Sequence, residues 1–237
     1  MIEVKNLTKK FSSHISLDNV NIGFKKNEYI ALMGPNGAGK TTLIRSILGY
    51  YHLNNGEVLI NGLNPIKDRI KVLEHISFVP QLPPPIKLSL NELMQYIQAS
   101  SNVNKDLIMY YANEMKLDIT ANLNKSFFKL SGGMKQKMLI AISLAKKSNI
   151  IIYDEPTANL DPKARDDFYR LLEENEEDKI LLFVTHRLDE IKDIVNRQVY
   201  MDLGKIISDE IIKKVYDVFE YYKISELYFY YNKSKFL

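Results

Sequence analysis

The strongest chemical signal in the chain is the run Gly34-Pro35-Asn36-Gly37-Ala38-Gly39-Lys40-Thr41-Thr42: a glycine, four residues, then Gly-Lys-Thr. Glycines at this spacing let the backbone curl so that successive N–H groups face inward toward phosphate oxygens. A helix that follows adds the positive end of its dipole. Lys40 is placed to reach β- and γ-phosphates, and the Thr41 hydroxyl to ligate Mg²⁺. The competing reading is a plain glycine-rich turn. It is disfavoured by the apolar run Tyr29–Met33 before the loop and the helical spacing of Leu43, Ile44, Ile47 and Leu48 after it. A second signal is Asp154-Glu155, directly after the apolar run Ile150–Tyr153. A carboxylate at the C-terminal end of a buried parallel strand faces the crevice where α/β sheets bind ligands. There Asp154 would hold the metal and Glu155 would orient and polarise a water for in-line attack. Alone, two acids after an apolar run are more often a helix cap than a catalytic pair; together with the loop at 34–42, the catalytic reading dominates. A third signal is Ser131-Gly132-Gly133, which opens the apolar helical stripe Met134, Met138, Leu139, Ile142 and Ala145. By itself it is a flexible turn with a cap, but a helix N-terminus is also an anion site.

The elements that must carry these residues can be read from periodicity. Ile2, Val4 and Leu7 read as an edge-like strand, and Val20, Ile22 and Phe24 alternate as on a half-buried antiparallel strand. Tyr29–Met33, Ile150–Tyr153 and Ile180–Val184 are continuous apolar runs, as expected for strands buried on both faces. Gly56–Gly62 reads as a strand ending in an Asn-Gly turn, and Ile76–Val79 as a strand ending at Pro80-Gln81 and the stiff run Pro83–Pro85. Ser89 and Glu92 form a capping box, and Asp161-Pro162 opens a further helix. The fold class expected is α/β: a mixed or parallel sheet around the phosphate loop, an antiparallel β subdomain and an inserted helical subdomain. The division expected within a single domain spanning 1–237 is 1–82 with 148–207 for the core, 83–147 for the helical insert and 208–237 for an extension.

Composition narrows the function. The chain has 237 residues, 46% hydrophobic and 26% charged, with 32 Lys+Arg against 29 Asp+Glu for a net charge of +3. That balance gives no reason to expect nucleic acid as a partner. The absence of cysteine removes thiolate catalysis, disulfides and Cys-ligated zinc. MIEVKNLTKKF, charged within its first five residues, does not read as a secretory signal. No apolar run approaches the ~20 residues that span a bilayer.

The three signals, in this order, resemble the ATP-binding cassette ATPases, the nucleotide-binding subunits of ABC transporters. The resemblance covers residues 1 to about 207, and Leu130-Ser131-Gly132-Gly133 is the diagnostic segment. Several roles follow from the resemblance. Phe11 stands where the family places an aromatic ring on adenine; the alternative is a core phenylalanine. Gln81 would touch Mg²⁺ and the attacking water. Asp161, in Asn159-Leu160-Asp161, belongs to a loop that crosses to a second subunit, and is equally a plain helix cap. His186 sits at the family's switch position, where it would hydrogen-bond the γ-phosphate. The ligands implied are ATP and Mg²⁺. ATP would be held by Gly34, Asn36 to Thr42 and Phe11 of one copy and by Ser131, Gly132, Gly133 and Asp161 of another.

The resemblance further implies a head-to-tail dimer closing over two ATP molecules, a separate transmembrane permease, and a cytoplasmic location on the inner face of the membrane through that permease. Met134 departs from the glutamine common at the fifth signature position. With Lys135-Gln136 and the Phe78–Leu88 segment it looks similar to the ABC-2-type branch, including the ATPase of nitrous oxide reductase maturation. The alternative function is a soluble cassette ATPase driving cofactor or metal-cluster assembly. DNA-repair cassettes are disfavoured by the lack of a long heptad segment, and switch GTPases by the lack of Asn-Lys-x-Asp. The stretch 208–237 holds six of the 15 tyrosines. There Ile211, Ile212, Val215, Val218, Phe219 and Tyr222 read as one helical face, with Asp209 and Glu210 in its first turn.

Overall fold

The computed structural model describes residues 1–175 and 178–212. The chain order is β1 (Ile2–Phe11), β2 (His14–Phe24), β3 (Tyr29–Met33), α1 (Lys40–Ile47), β4 (Asn55–Ile60), α2 (Arg69–His75), β5 (Ile76–Val79), α3 (Leu90–Ser101), α4 (Lys105–Glu114), α5 (Gly132–Ala145), β6 (Ile150–Asp154), α6 (Pro162–Glu173), β7 (Ile180–Val184), α7 (Leu188–Ile191), β8 (Arg197–Asp202) and β9 (Lys205–Ile211). Two sheets form. One is antiparallel in the order β2-β1-β4; the other has six strands in the order β5-β6-β7-β3-β8-β9. Its first five strands run parallel and β9 is antiparallel to β8.

The five-residue runs β3, β6 and β7 explain the layering. Successive side chains on a strand point to opposite faces. Ile30, Leu32, Ile150, Ile152, Ile180, Leu182 and Val184 join one core cluster, with α1 and the antiparallel sheet. Tyr29, Ala31, Ile151, Tyr153, Leu181 and Phe183 join the other, with α3 to α6. One continuous apolar run therefore feeds two cores, and both sheet faces are covered. The helices of 83–147 share a core with the sheet rather than forming a separate one.

Local signals set the helix ends. The Ser89–Glu92 capping box is present, with the Ser89 hydroxyl accepting from the Glu92 N–H and the Glu92 carboxylate accepting from the Ser89 N–H. Asp161 caps α6 through the Ala164 N–H at 2.9 Å, with Pro162 at the first helical position. Gly49 follows α1 at φ 70°, the left-handed stop that a glycine supplies.

Two expectations change. β1 is the central strand of its sheet, not an edge, because β4 pairs on its far side through Ile2–Ile60 and Val4–Val58. Its irregular register shifts blur the alternation that a central strand usually shows. Asp209 and Glu210 belong to β9, not to the first turn of a helix: Asp209 pairs with Val199, and its carboxylate accepts two hydrogen bonds from Arg197 at 2.7 and 2.6 Å. β9 runs from Lys205 and carries the pairing to Ile211. Val215, Val218, Phe219, Tyr222 and the aromatic run 227–231 lie outside the described residues. Among the described residues no helix is long and apolar enough to cross a membrane.

Candidate functional site

β3 stops at Met33, and Gly34 to Gly39 carry the chain into α1, whose first residue is Lys40. Two glycines are obligatory. Gly34, at φ 142°, lies against the Met201 carbonyl, where a Cβ has no room; at Gly39, φ 101°, a Cβ would stand 2.7 Å from the Ser16 carbonyl oxygen. Lys40 Nζ donates to the Gly34 and Pro35 carbonyls at 2.6 and 3.0 Å, holding the loop closed on itself. Burial lowers the Lys40 pKa from its usual value, with Glu155 and Asp154 pulling the other way.

Parallel pairing brings the second signal to the loop. β6 lies beside β7, and β7 beside β3, so the C-terminal ends of the strands carrying Asp154 and the phosphate loop open on one side. A cleft of about 240 Å³ is lined by Asn36, Gly37, Ala38, Gly39, Lys40, Thr41, Thr42, Gln81, Asp154 and Glu155, together with His14, Ser16 and Val184. Asp154 is buried, 8% exposed. Burial and the neighbouring Glu155 raise its pKa, while Arg45 and Lys40 lower it. Glu155 leaves the strand at φ 48°, a left-handed conformation that a non-glycine residue adopts at some energetic cost, and its N–H donates to the Val184 carbonyl at 2.9 Å. His186 Nδ1 lies 2.8 Å from Glu155 Oε1. His186, expected at a γ-phosphate, therefore meets the candidate base Glu155 directly, at a position 67% exposed.

The Ser131 segment stands apart from this cleft. Ser131 caps α5 by accepting from the Met134 N–H at 3.2 Å. Gly132 and Gly133 lie against Asn159; a Cβ at Gly133 would sit 3.0 Å from the Asn159 carbonyl. Asp161 lies 3.8 Å from Lys137 Nζ on the same α5. Ser131 to Gly133 and Asn159 to Asp161 thus share one surface, with Ser131, Gly132, Asn159 and Asp161 exposed. None of them lines the phosphate cleft. Phe11 is not a core residue, being 40% exposed. Its ring meets Tyr51 edge-on at 5.1 Å, with Lys9 Nζ 4.8 Å above it.

The family model described as ABC transporter matches residues 17–158. The chain belongs to the ABC transporter family. It is 31% identical over 222 residues to a probable ABC transporter ATP-binding protein PEB1C of Campylobacter jejuni, covering 89% of this chain and 90% of that one. It is 31% identical over 222 residues to a phosphate import ATP-binding protein of Thermotoga maritima, covering 87% and 88%. A dimeric ATP-binding cassette in a post-hydrolysis state bound to ADP and Pi superposes with a TM-score of 0.77 at 26% identity, over 90% of this chain and 99% of that one. The structure of an ATP-binding subunit of an ABC transporter has the same fold, with a TM-score of 0.80 at 24% identity and 93% coverage of each chain. This protein is an ATP-binding, ATP-hydrolysing subunit of an ABC transporter.

Several residues around the cassette's nucleotide cleft were not visible as motifs. The Ser16 hydroxyl lies 2.8 Å from that of Thr42, brought there by β2 from outside any local pattern. Arg45 reaches the Tyr51 hydroxyl at 3.1 Å and, with Thr41 and Asp154, lines an adjoining groove. Its place one helical turn after Thr41 was the available signal.

Proposed function

We propose that the chain powers a separate membrane permease by closing, with a second copy of itself, over two ATP molecules. The observation carrying this reading is the separation of the two halves. The cleft holds the phosphate loop, Gln81, Asp154 and Glu155, while Ser131 to Gly133 and Asn159 to Asp161 form one exposed surface outside it. A second copy turned head to tail brings that surface to the first copy's γ-phosphate, and the nucleotide joins two electropositive helix ends.

Within each cleft the loop N–H groups and Lys40 bind the phosphates, Lys40 exchanging the Gly34 and Pro35 carbonyls for phosphate oxygens. Phe11 and Tyr51 offer aromatic faces for the base. Glu155 accepts the proton of the attacking water and His186 holds the Glu155 carboxylate in orientation. Thr41, Gln81 and Asp154 offer the hard oxygen donors that suit Mg²⁺, which usually takes one or two carboxylates plus substrate phosphates. When bound, the ion neutralises charge on the phosphate oxygens. Loss of the γ-phosphate removes the bridge between copies, and the dimer opens. The permease places the cassette on the inner face of the cell membrane.

The test is size-exclusion chromatography of Glu155→Gln with and without ATP. The expected result is an ATP-dependent dimer without turnover; a variant that binds ATP and stays monomeric defeats the proposal.

A further inference from the structure

Glu190 belongs to no motif, yet four donors converge on its carboxylate. Arg165 Nη1 and Arg187 Nη1 donate to Oε1 at 2.9 and 2.7 Å; Thr157 Oγ1 and the Tyr169 hydroxyl donate to Oε2 at 3.0 and 3.3 Å. The side chain is only 16% exposed. Exposed ion pairs usually contribute little to stability and fix little. A carboxylate only 16% exposed that accepts two hydrogen bonds on each oxygen is a different object, since removing it takes the shared acceptor from four donors, among them the buried Thr157 hydroxyl.

The origin of those donors matters more than their number. Thr157 lies two residues after Glu155, in the loop that leaves β6. Arg187 follows His186. Arg165, on the first turns of α6, also sends Nε to the Leu160 carbonyl at 3.2 Å, inside the Asn159–Asp161 loop. Three loop segments with separate duties therefore meet on one side chain: the candidate base, the switch histidine and the surface offered to a second copy. α7 itself has only four residues and cannot impose that geometry through its own helical hydrogen bonds.

We propose that Glu190 is a positioning residue for ATP hydrolysis, holding the Glu155 loop, the His186 segment and the Asn159–Asp161 loop as one unit. It touches no substrate. It acts through Thr157 on Glu155, through Arg187 on His186 and through Arg165 on Leu160. The proposal rests on the reading of Glu155 as the base. Its consequence is that the loop presented to the partner copy and the base of the resident site shift together.

The experiment measures steady-state ATP hydrolysis and ATP affinity of the full chain with Glu190→Ala, Glu190→Gln and Thr157→Val. Misplacing a catalytic group by about an ångström costs on the order of 100-fold, so Glu190→Ala should lose about 10- to 100-fold in kcat with KM within about threefold. Glu190→Gln, which keeps one acceptor oxygen, should lose less. In the Glu155→Gln background, Glu190→Ala should weaken the ATP-dependent dimer while ATP binding by the single copy is unchanged. A kcat within twofold of the unaltered chain overturns the proposal, as does a joint fall of kcat, ATP affinity and melting temperature. If Glu190→Ala does not fold, Thr157→Val carries the same comparison of kcat with KM. Turnover that survives Glu155→Gln defeats the reading of Glu155 instead. Loss of turnover in Glu155→Gln with unchanged kcat in Glu190→Ala defeats the Glu190 assignment alone.

Discussion

The phosphate cleft and the Ser131 surface are built on opposite physical plans. The cleft is concave and its functional atoms are held before any ligand arrives: Lys40 against two loop carbonyls, Asp154 buried, Glu155 against His186. The Ser131 surface is exposed and holds its groups by a helix cap and by Asn159 packed on two glycines. One region is preorganised to grip charge; in the proposed dimer, the other meets charge only when a second copy presents it.

The sharpest break of that contrast is at the base. Glu155→Gln should lower kcat by about 10²- to 10⁴-fold while leaving ATP binding intact, measured by steady-state turnover and equilibrium binding. A smaller loss would mean that the cleft works without the group it places most carefully. Next comes a complementation. Lys40→Ala and Ser131→Glu should each abolish turnover alone, and mixing the two should restore it, because one composite pocket pairs an intact loop with an intact signature. Mixtures that stay dead would remove the division between the two regions.

Phe11→Ala should weaken ATP binding by roughly 5- to 100-fold if an adenine stacks there, since base–aromatic stacking contributes about 1–3 kcal/mol. Unchanged affinity would shift the base to another ring, Tyr51 being the nearest. The smallest effect is on stability. The Asp154 pKa is raised by burial and by Glu155, so the folded nucleotide-free chain holds its proton more tightly than the unfolded chain. The stability linked to that proton is present below the unfolded pKa and lost as pH rises through the folded one. At neutral pH Asp154→Asn should therefore raise the melting temperature of the nucleotide-free chain by a few degrees, with the gain shrinking in acid. A lower melting temperature at pH 7 would show that the charge is not under strain.

Much of the fold was legible because its signals are local. Ser89 and Asp161 cap their helices through neighbours three residues away, and the β3, β6 and β7 runs announce strands covered on both faces. β8 and β9 were not legible: the charged Arg197 takes an inward, buried place on the same side of β8 as Val199 and Met201, and the ion pairs of Arg197 and Lys205 join residues distant in the chain. Arg197 bonds Asp209 and also reaches Glu28 at 2.6 Å, 169 positions away. The helix read across Asp209 and Glu210 failed for that reason, since periodicity cannot see a partner strand.

The amino-acid order alone determined the phosphate loop, the Asp154-Glu155 pair and the Ser131 turn, because each depends on backbone freedom, caps and spacing within about ten residues. Only the tertiary structure decided that Ser16 meets Thr42, that His186 pairs with Glu155, that Asn159 packs on the Ser131 glycines and that Glu190 gathers three loops. Those contacts join segments whose approach is set by sheet order and layer packing, and short-range pattern carries no information about which distant side chain will complete a hydrogen bond.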